Sequence, residues 1–208
     1  IKTGNDETAE DSFIGIFWYT FADQYLTSVR NVLDAELTGI GLEAGKNFVN
    51  YDAAREQATQ MEQIDAAIEK GATCLAVNIV KAGSPDVAQQ IVDKASAAGI
   101  PVVFFNRLIG IDGNEKTVLE GYDKCAFVGA DFTEAGHLQG QMIGEYLVDN
   151  YHAVDLNGDG KISYAMFMGQ LGNAEAAART QYGVEDANAV LKKAGKPEIV
   201  YFDSANTN

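Results

Sequence analysis

The sequence predicts an α/β protein of two doubly wound parallel-sheet lobes, the second of them incomplete, and three observations carry that reading. Short apolar runs alternate with helical apolar stripes from residue 14 to residue 129; the alternation pauses at Gly129 and restarts; and the restarted part holds only two further strand-like runs. Such alternation lays strands side by side in parallel, with helices on both faces and right-handed crossovers. Residues 12–129 therefore read as a first lobe. Residues 130–208 read as a second whose two strands are too few for an independent sheet, so either the chain is a fragment or another copy completes that sheet. The polar start, residues 1–11, reads as a flexible tether.

Each element has its own signal. Ile14-Gly15-Ile16-Phe17-Trp18-Tyr19 is a continuous apolar run, the mark of a strand buried on both faces. It leads to Asp23, a helix cap, and to Leu26, Val29, Leu33 and Leu37 at helical spacing. Residues 47–51 and 74–80 repeat the strand signal, separated by a helical stripe of Ala58, Met61, Ile64 and Ile68. Ser84-Pro85-Asp86 supplies a cap, a proline for the first helical position and an acid for the helix dipole. Strands at 100–105 and 126–129 follow, with a polar excursion from 110 to 124 between them. In the restarted part, Thr133 caps a helix, 162–168 reads as a buried strand, about 173–194 as a helix and 198–202 as the last strand.

Composition excludes several function classes. Fifteen basic against thirty acidic residues give a net charge of −15, which repels nucleic acid and anionic membrane surfaces. No apolar stretch reaches the length of a transmembrane span, and no nucleophile–base pair, Cys-x-x-Cys or phosphate-cradling glycine loop is present, so an enzyme is not expected. The two cysteines, Cys74 and Cys125, each open an apolar run and read as buried free thiols on separate strands.

The most specific motif is Asp155-Leu156-Asn157-Gly158-Asp159-Gly160-Lys161-Ile162-Ser163. Oxygen-bearing side chains recur at every second position, Asp155, Asn157 and Asp159. Gly160 then permits the sharp turn that lets the Lys161 carbonyl and the Ser163 position face the same hard cation. Calcium is the expected metal. An EF-hand would close with a carboxylate at the twelfth position, which is Met166, so the closing ligand must come from elsewhere. A solvated Asp/Asn/Gly turn is the metal-free alternative.

Taken in order, Ile14-Gly15-Ile16 leading to Asp23, the run from Ile100 to Asn106, Tyr122-Asp123-Lys124 before Val128-Gly129, the loop at 155–163, and Glu175 to Arg179 with Thr180 and Tyr182 resemble the type 1 periplasmic sugar-binding proteins of ABC transporters, the galactose/glucose-binding members above all. The likeness runs from Ser12 to about residue 205. It implies a periplasmic-binding-protein-like fold that closes two lobes over a monosaccharide such as galactose or glucose and hands it to an ABC transporter permease. The location it implies is extracytoplasmic, either periplasmic or at the cell surface as a lipoprotein. By the same resemblance, Asp23 and Asn106 hydrogen-bond sugar hydroxyls, Tyr25 stacks on the pyranose, and Arg179 clamps the ring from the second lobe. Asn173 and Glu175 stand where the family has histidine and aspartate. The family also implies that the chain stops before the rest of its second lobe, before a second stacking aromatic and before the glutamate that closes the calcium site.

Two other readings compete. The effector domain of a sugar-responsive transcription repressor shares the fold, but it calls for a basic helix-turn-helix at the N-terminus, where this chain is acidic. A dockerin-like module would place a helix, not an apolar run, after the calcium loop.

Overall fold

The computed structural model describes residues 12–110, 113–169, 171 and 173–202. The tether at 1–11 and the positions after 202 lie outside the described residues. The chain divides into two compact units, 1–129 and 130–208.

Unit 1 follows the strand–helix alternation: β1 (Ile14–Trp18), α1 (Gln24–Gly39), β2 (Phe48–Asp52), α2 (Gln57–Glu69), β3 (Cys74–Val77), α3 (Pro85–Ala97), β4 (Val102–Phe105), α4 (Glu115–Glu120) and β5 (Cys125–Val128). All five strands are parallel, in the order β2-β1-β3-β4-β5. Strand order reverses direction at β1, between β2 and β3, the topological switch at which such sheets bind ligands beyond their carboxyl ends. The sheet's two faces bury Phe17, Leu75, Val77, Val102 and Phe104 under α2 and α3, and Ile16, Trp18 and Phe48 under α1. Each large side chain so buried contributes about 1.5–3 kcal/mol.

The polar excursion at 110–124 contains a helix that its charge concealed, α4, which buries Val118 against the core. The strand expected at 74–80 ends at Val77: beyond it the Val80 amide and the Asn78 carbonyl are bonded by the buried Gln60 side chain instead of a neighbouring strand. Ser84 stands at the cap position of α3, yet its side chain makes no cap bond; Pro85 and Asp86 alone mark that start. Cys74 and Cys125 are free and on separate strands as expected, but half-buried where full burial was expected, since both stand at the first residue of their strands.

Unit 2 contains α5 (Phe132–Val154), β6 (Ser163–Tyr164), α6 (Ala174–Lys193) and β7 (Val200–Tyr201), with β6 and β7 a parallel pair. Its core is Leu147, Tyr151, Ile162, Ala187, Leu191 and Ile199. The cap of α5 is Asp131, not Thr133: one carboxylate oxygen accepts from the Thr133 and Glu134 amides, and the Thr133 hydroxyl donates to the same oxygen. The strand expected at 162–168 shrinks to two residues. β7 pairs with it for only two positions, and past Tyr164 no ladder partner exists among the described residues; Phe167 is 92% exposed. The last strand is short for the same reason.

Candidate functional site

Three groups of residues bear on function. The first lies where the strands of unit 1 end. Asp23 follows β1 as the N-cap of α1, its Oδ1 accepting from the Leu26 amide at 2.9 Å. The loop carrying it is held by Asp52, at the end of β2, whose Oδ1 accepts from the Phe21 and Ala54 amides at 3.1 and 2.8 Å. Asp23 Oδ2 has no hydrogen bond among the described residues, leaving an acceptor available. Tyr25 follows in the first turn of α1 and is 64% exposed, an open aromatic face.

Asn106 follows β4 in the left-handed region, φ 62°, a conformation Asn tolerates better than most residues. Its amide N–H donates to the Val128 carbonyl at 2.8 Å. Next to it, Arg107 donates from Nε to the Ile79 carbonyl at 2.8 Å and from Nη2 to the Val80 carbonyl at 3.1 Å, and its guanidinium lies 4.1 Å from the centre of the Tyr19 ring. Arg107 thereby ties the end of β4 to the segment after β3.

The second group is a pocket of about 350 Å³ in unit 2, lined by Gln139, Met166, Phe167, Gly169, Asn173, Glu175, Ala176, Arg179 and Thr180. It brings together the three residues expected from this half of the chain. Asn173 caps α6 by accepting from the Ala176 amide at 2.9 Å; Glu175 and Arg179 follow at i+2 and i+6, so all three stand within the first two turns. The pocket thus offers an amide, a carboxylate, a guanidinium and the Thr180 hydroxyl, whose proton goes to the Ala176 carbonyl at 2.7 Å. Gln139 and Phe167 escape the sequence reading. Gln139 sits on α5 and donates to the Arg179 carbonyl, a contact between helices that no local pattern announces, and Phe167 reads as strand core because the run around it is apolar.

The third group is the 155–163 loop, between α5 and β6. Asp155 receives two amides, Gly158 N–H on Oδ1 at 3.0 Å and Gly160 N–H on Oδ2 at 2.8 Å. Asn157 Nδ2 donates to Asp159 Oδ2 at 3.0 Å, and the Lys161 amide donates to Asp159 Oδ1 at 2.8 Å. Gly158 and Gly160 take φ 71° and 80°, so the turn needs glycine at both positions. Behind the loop the Tyr151 hydroxyl donates to the Gly160 carbonyl. Burial first, then the nearby Asp155 and Asp159 charges, push that hydroxyl's pKa up. The donor set is all oxygen, which suits a hard cation. Among the described residues, however, no cluster of three His, Cys, Asp or Glu side chains that could hold a metal forms. Ser163 is exposed at the start of β6.

Residues 14–208 match the family model of the periplasmic binding protein domain. The chain belongs to the periplasmic binding protein domain family. It is 35% identical over 181 residues to the D-galactose/methyl-galactoside binding periplasmic protein MglB of Haemophilus influenzae, an alignment covering 87% of this chain and 51% of that protein. Among solved structures, the fold of this family member resembles a periplasmic solute-binding protein of an ABC transporter from Actinobacillus succinogenes with bound D-allose. The TM-score is 0.66 at 17% identity, covering 92% of this chain and 58% of the other. It also resembles an ABC transporter solute-binding protein from Clostridium phytofermentans with bound β-D-glucose, with a TM-score of 0.63 at 20% identity, covering 94% and 52%. The chain spans about half the length of the curated relative it matches. The described residues contain no helix long and apolar enough to cross a membrane.

Proposed function

We propose that this protein is an extracytoplasmic receptor that binds a neutral monosaccharide, galactose or glucose first, and passes it to the permease of an ABC transporter. The observation that carries this reading is the unit 2 pocket, where Asn173, Glu175 and Arg179 meet in a chain whose curated relative is named for galactose binding. In this reading each unit carries groups suited to a sugar. Asp23 Oδ2 and Glu175 accept from sugar hydroxyls, Asn106, Asn173 and Arg179 donate to them, and the exposed Tyr25 face covers the C–H side of the ring. Phe167 joins the list as an apolar wall of the pocket. Every one of these roles is recognition, so the protein acts as a binder and not as an enzyme.

Calcium belongs to the same proposal. Asp155, Asn157 and Asp159 would hold the ion with their side chains, the Lys161 carbonyl and Ser163 would add further oxygens, and the bound cation would stiffen the passage from α5 to β6. Terbium luminescence sensitised by nearby tyrosine, or calorimetric titration with calcium, tests this, with Asp155→Ala as control.

The sugar reading is tested by titrating a panel of monosaccharides against the wild type, Asp23→Asn and Asp23→Ala. Asparagine keeps the N-cap, so Asp23→Asn should melt like the wild type yet lose the charge-assisted bond, weakening affinity by about 1.5–3 kcal/mol. Alanine should lose that affinity and about 1 kcal/mol of stability as well. Unchanged affinity in both variants would remove Asp23 from the site.

A further inference from the structure

We propose that Asn78 is a positioning residue that fixes the Asn106 amide with its oxygen bound, so that the end of β4 offers the ligand a hydrogen-bond donor and selects an acceptor oxygen. Which way round the amide lies follows from the fold; its consequence for selectivity rests on the proposed function.

Polarity here is set by atoms that cannot exchange roles. The Tyr19 backbone N–H can only donate, and it donates to Asn78 at 3.2 Å, so the atom it meets is Oδ1. The Phe105 carbonyl can only accept, and it lies 3.1 Å from the other end of the same amide, which is therefore Nδ2. The second proton of Nδ2 points to Asn106 at 3.1 Å and requires an acceptor there, which fixes Asn106 Oδ1 in that place. Asn106 Nδ2 is then the remaining arm of that amide, and it has no hydrogen bond among the described residues.

Asn78 itself has nothing left to give a ligand. It is 0% exposed, its own N–H donates to the Phe17 carbonyl, and its carbonyl accepts from Gln60 Nε2. Gln60, also 0% exposed, is oriented by the same logic, since its Oε1 accepts from the Val80 amide. A chain of fixed amides thus runs from α2 through the segment after β3 to the end of β4. After β1, Asp23 keeps an acceptor free, while after β4 Asn106 keeps a donor. Unit 1 therefore presents one group of each sense.

The test uses the full chain. Side-chain amide NMR on ¹⁵N-labelled protein should show slow exchange for the Asn78 Nδ2 protons and fast exchange for those of Asn106. Asn106→Asp, acceptor-only but still able to take the Asn78 bond, should leave the Asn78 signals in place. The ligand arm uses galactose and glucose with their deoxy and deoxyfluoro analogues, because fluorine can accept but not donate. At one ring position the wild type should keep the fluoro analogue about tenfold tighter than the deoxy analogue. Asn78→Asp, which withdraws the donor holding Asn106 Oδ1, should abolish that preference; a merely structural role would weaken all analogues alike. Fast exchange at Asn78, or a preference that survives in Asn78→Asp, overturns the proposal. If the wild type binds none of these sugars, the receptor reading fails while the exchange measurement still decides the role of Asn78.

Discussion

Replacing Gly140 by alanine should loosen unit 2. Gly136, Gly140 and Gly144 recur every fourth residue on α5, and all three are buried. A Cβ at position 140 would lie 2.7 Å from Asp186 Cβ and 3.1 Å from the Tyr182 carbonyl carbon, closer still to that carbonyl's oxygen. None of these atoms is the far end of a flexible side chain, so no rotamer change makes room. The helices must part by roughly 1 Å, which unpacks Ala178, Ala187 and Leu191 along the seam. Overpacking costs about 1–3 kcal/mol, and a backbone obstacle puts this case at the upper end. Alanine's better helix propensity offsets about 1 kcal/mol, leaving a net loss of about 2 kcal/mol.

Gly39, at the end of α1, is the control. A Cβ there meets nothing within 4 Å, so Gly39→Ala should be neutral or stabilise by up to about 1 kcal/mol. Urea unfolding followed by far-UV circular dichroism measures both variants, and the fluorescence of Trp18, the sole tryptophan, reports on unit 1. A Gly140→Ala midpoint at or above the wild type would mean that α5 and α6 do not meet at this distance.

Three further outcomes are expected. Hydrogen bonds from Thr133, side chain first and then backbone, lower the Asp131 pKa from its ordinary 3.8, so its contribution to stability is complete above that value and lost as pH falls below it. Melting curves from pH 6 to 2.5 should therefore converge for wild type and Asp131→Ala at the acid end. Burial pushes the Cys125 thiol up to about 11, so at pH 8 only about one thiol in a thousand is ionised; alkylation should be slow in the folded protein and fast in urea. Gln60→Ala strands the Asn78 carbonyl and the Val80 amide in a buried site and leaves a cavity, which should cost about 2–4 kcal/mol by urea unfolding.

Strand β1 was legible because it is buried on both faces, and a two-sided environment writes a continuous apolar run into the sequence, Ile14 to Trp18. The same rule misleads at 162–168. That run is apolar, but a strand also needs backbone partners, and those lie at a sequence distance no local pattern reports. α4 was hidden for the opposite reason: six residues with one buried side chain, Val118, leave too short a period to stand out among charged neighbours.

In the site, the residues with readable signals are those with a second, local job. Asp23 and Asn173 cap helices, and capping residues announce themselves by their place before a helical stripe. Asn78 has no such local job. Its partners are Phe17 in β1 and Tyr19 just after it, Gln60 from α2, and Phe105 at the end of β4 with Asn106 just after it, separated from it by 18 to 61 residues, and only the folded sheet brings them together. What the sequence shows there is one polar residue after an apolar strand, a pattern shared by many ordinary turns. The sense of the hydrogen bond that Asn106 can offer is therefore decided by residues from three separate stretches of chain. A substitution at Asn78 can change which atom the end of β4 presents without altering Asn106 itself.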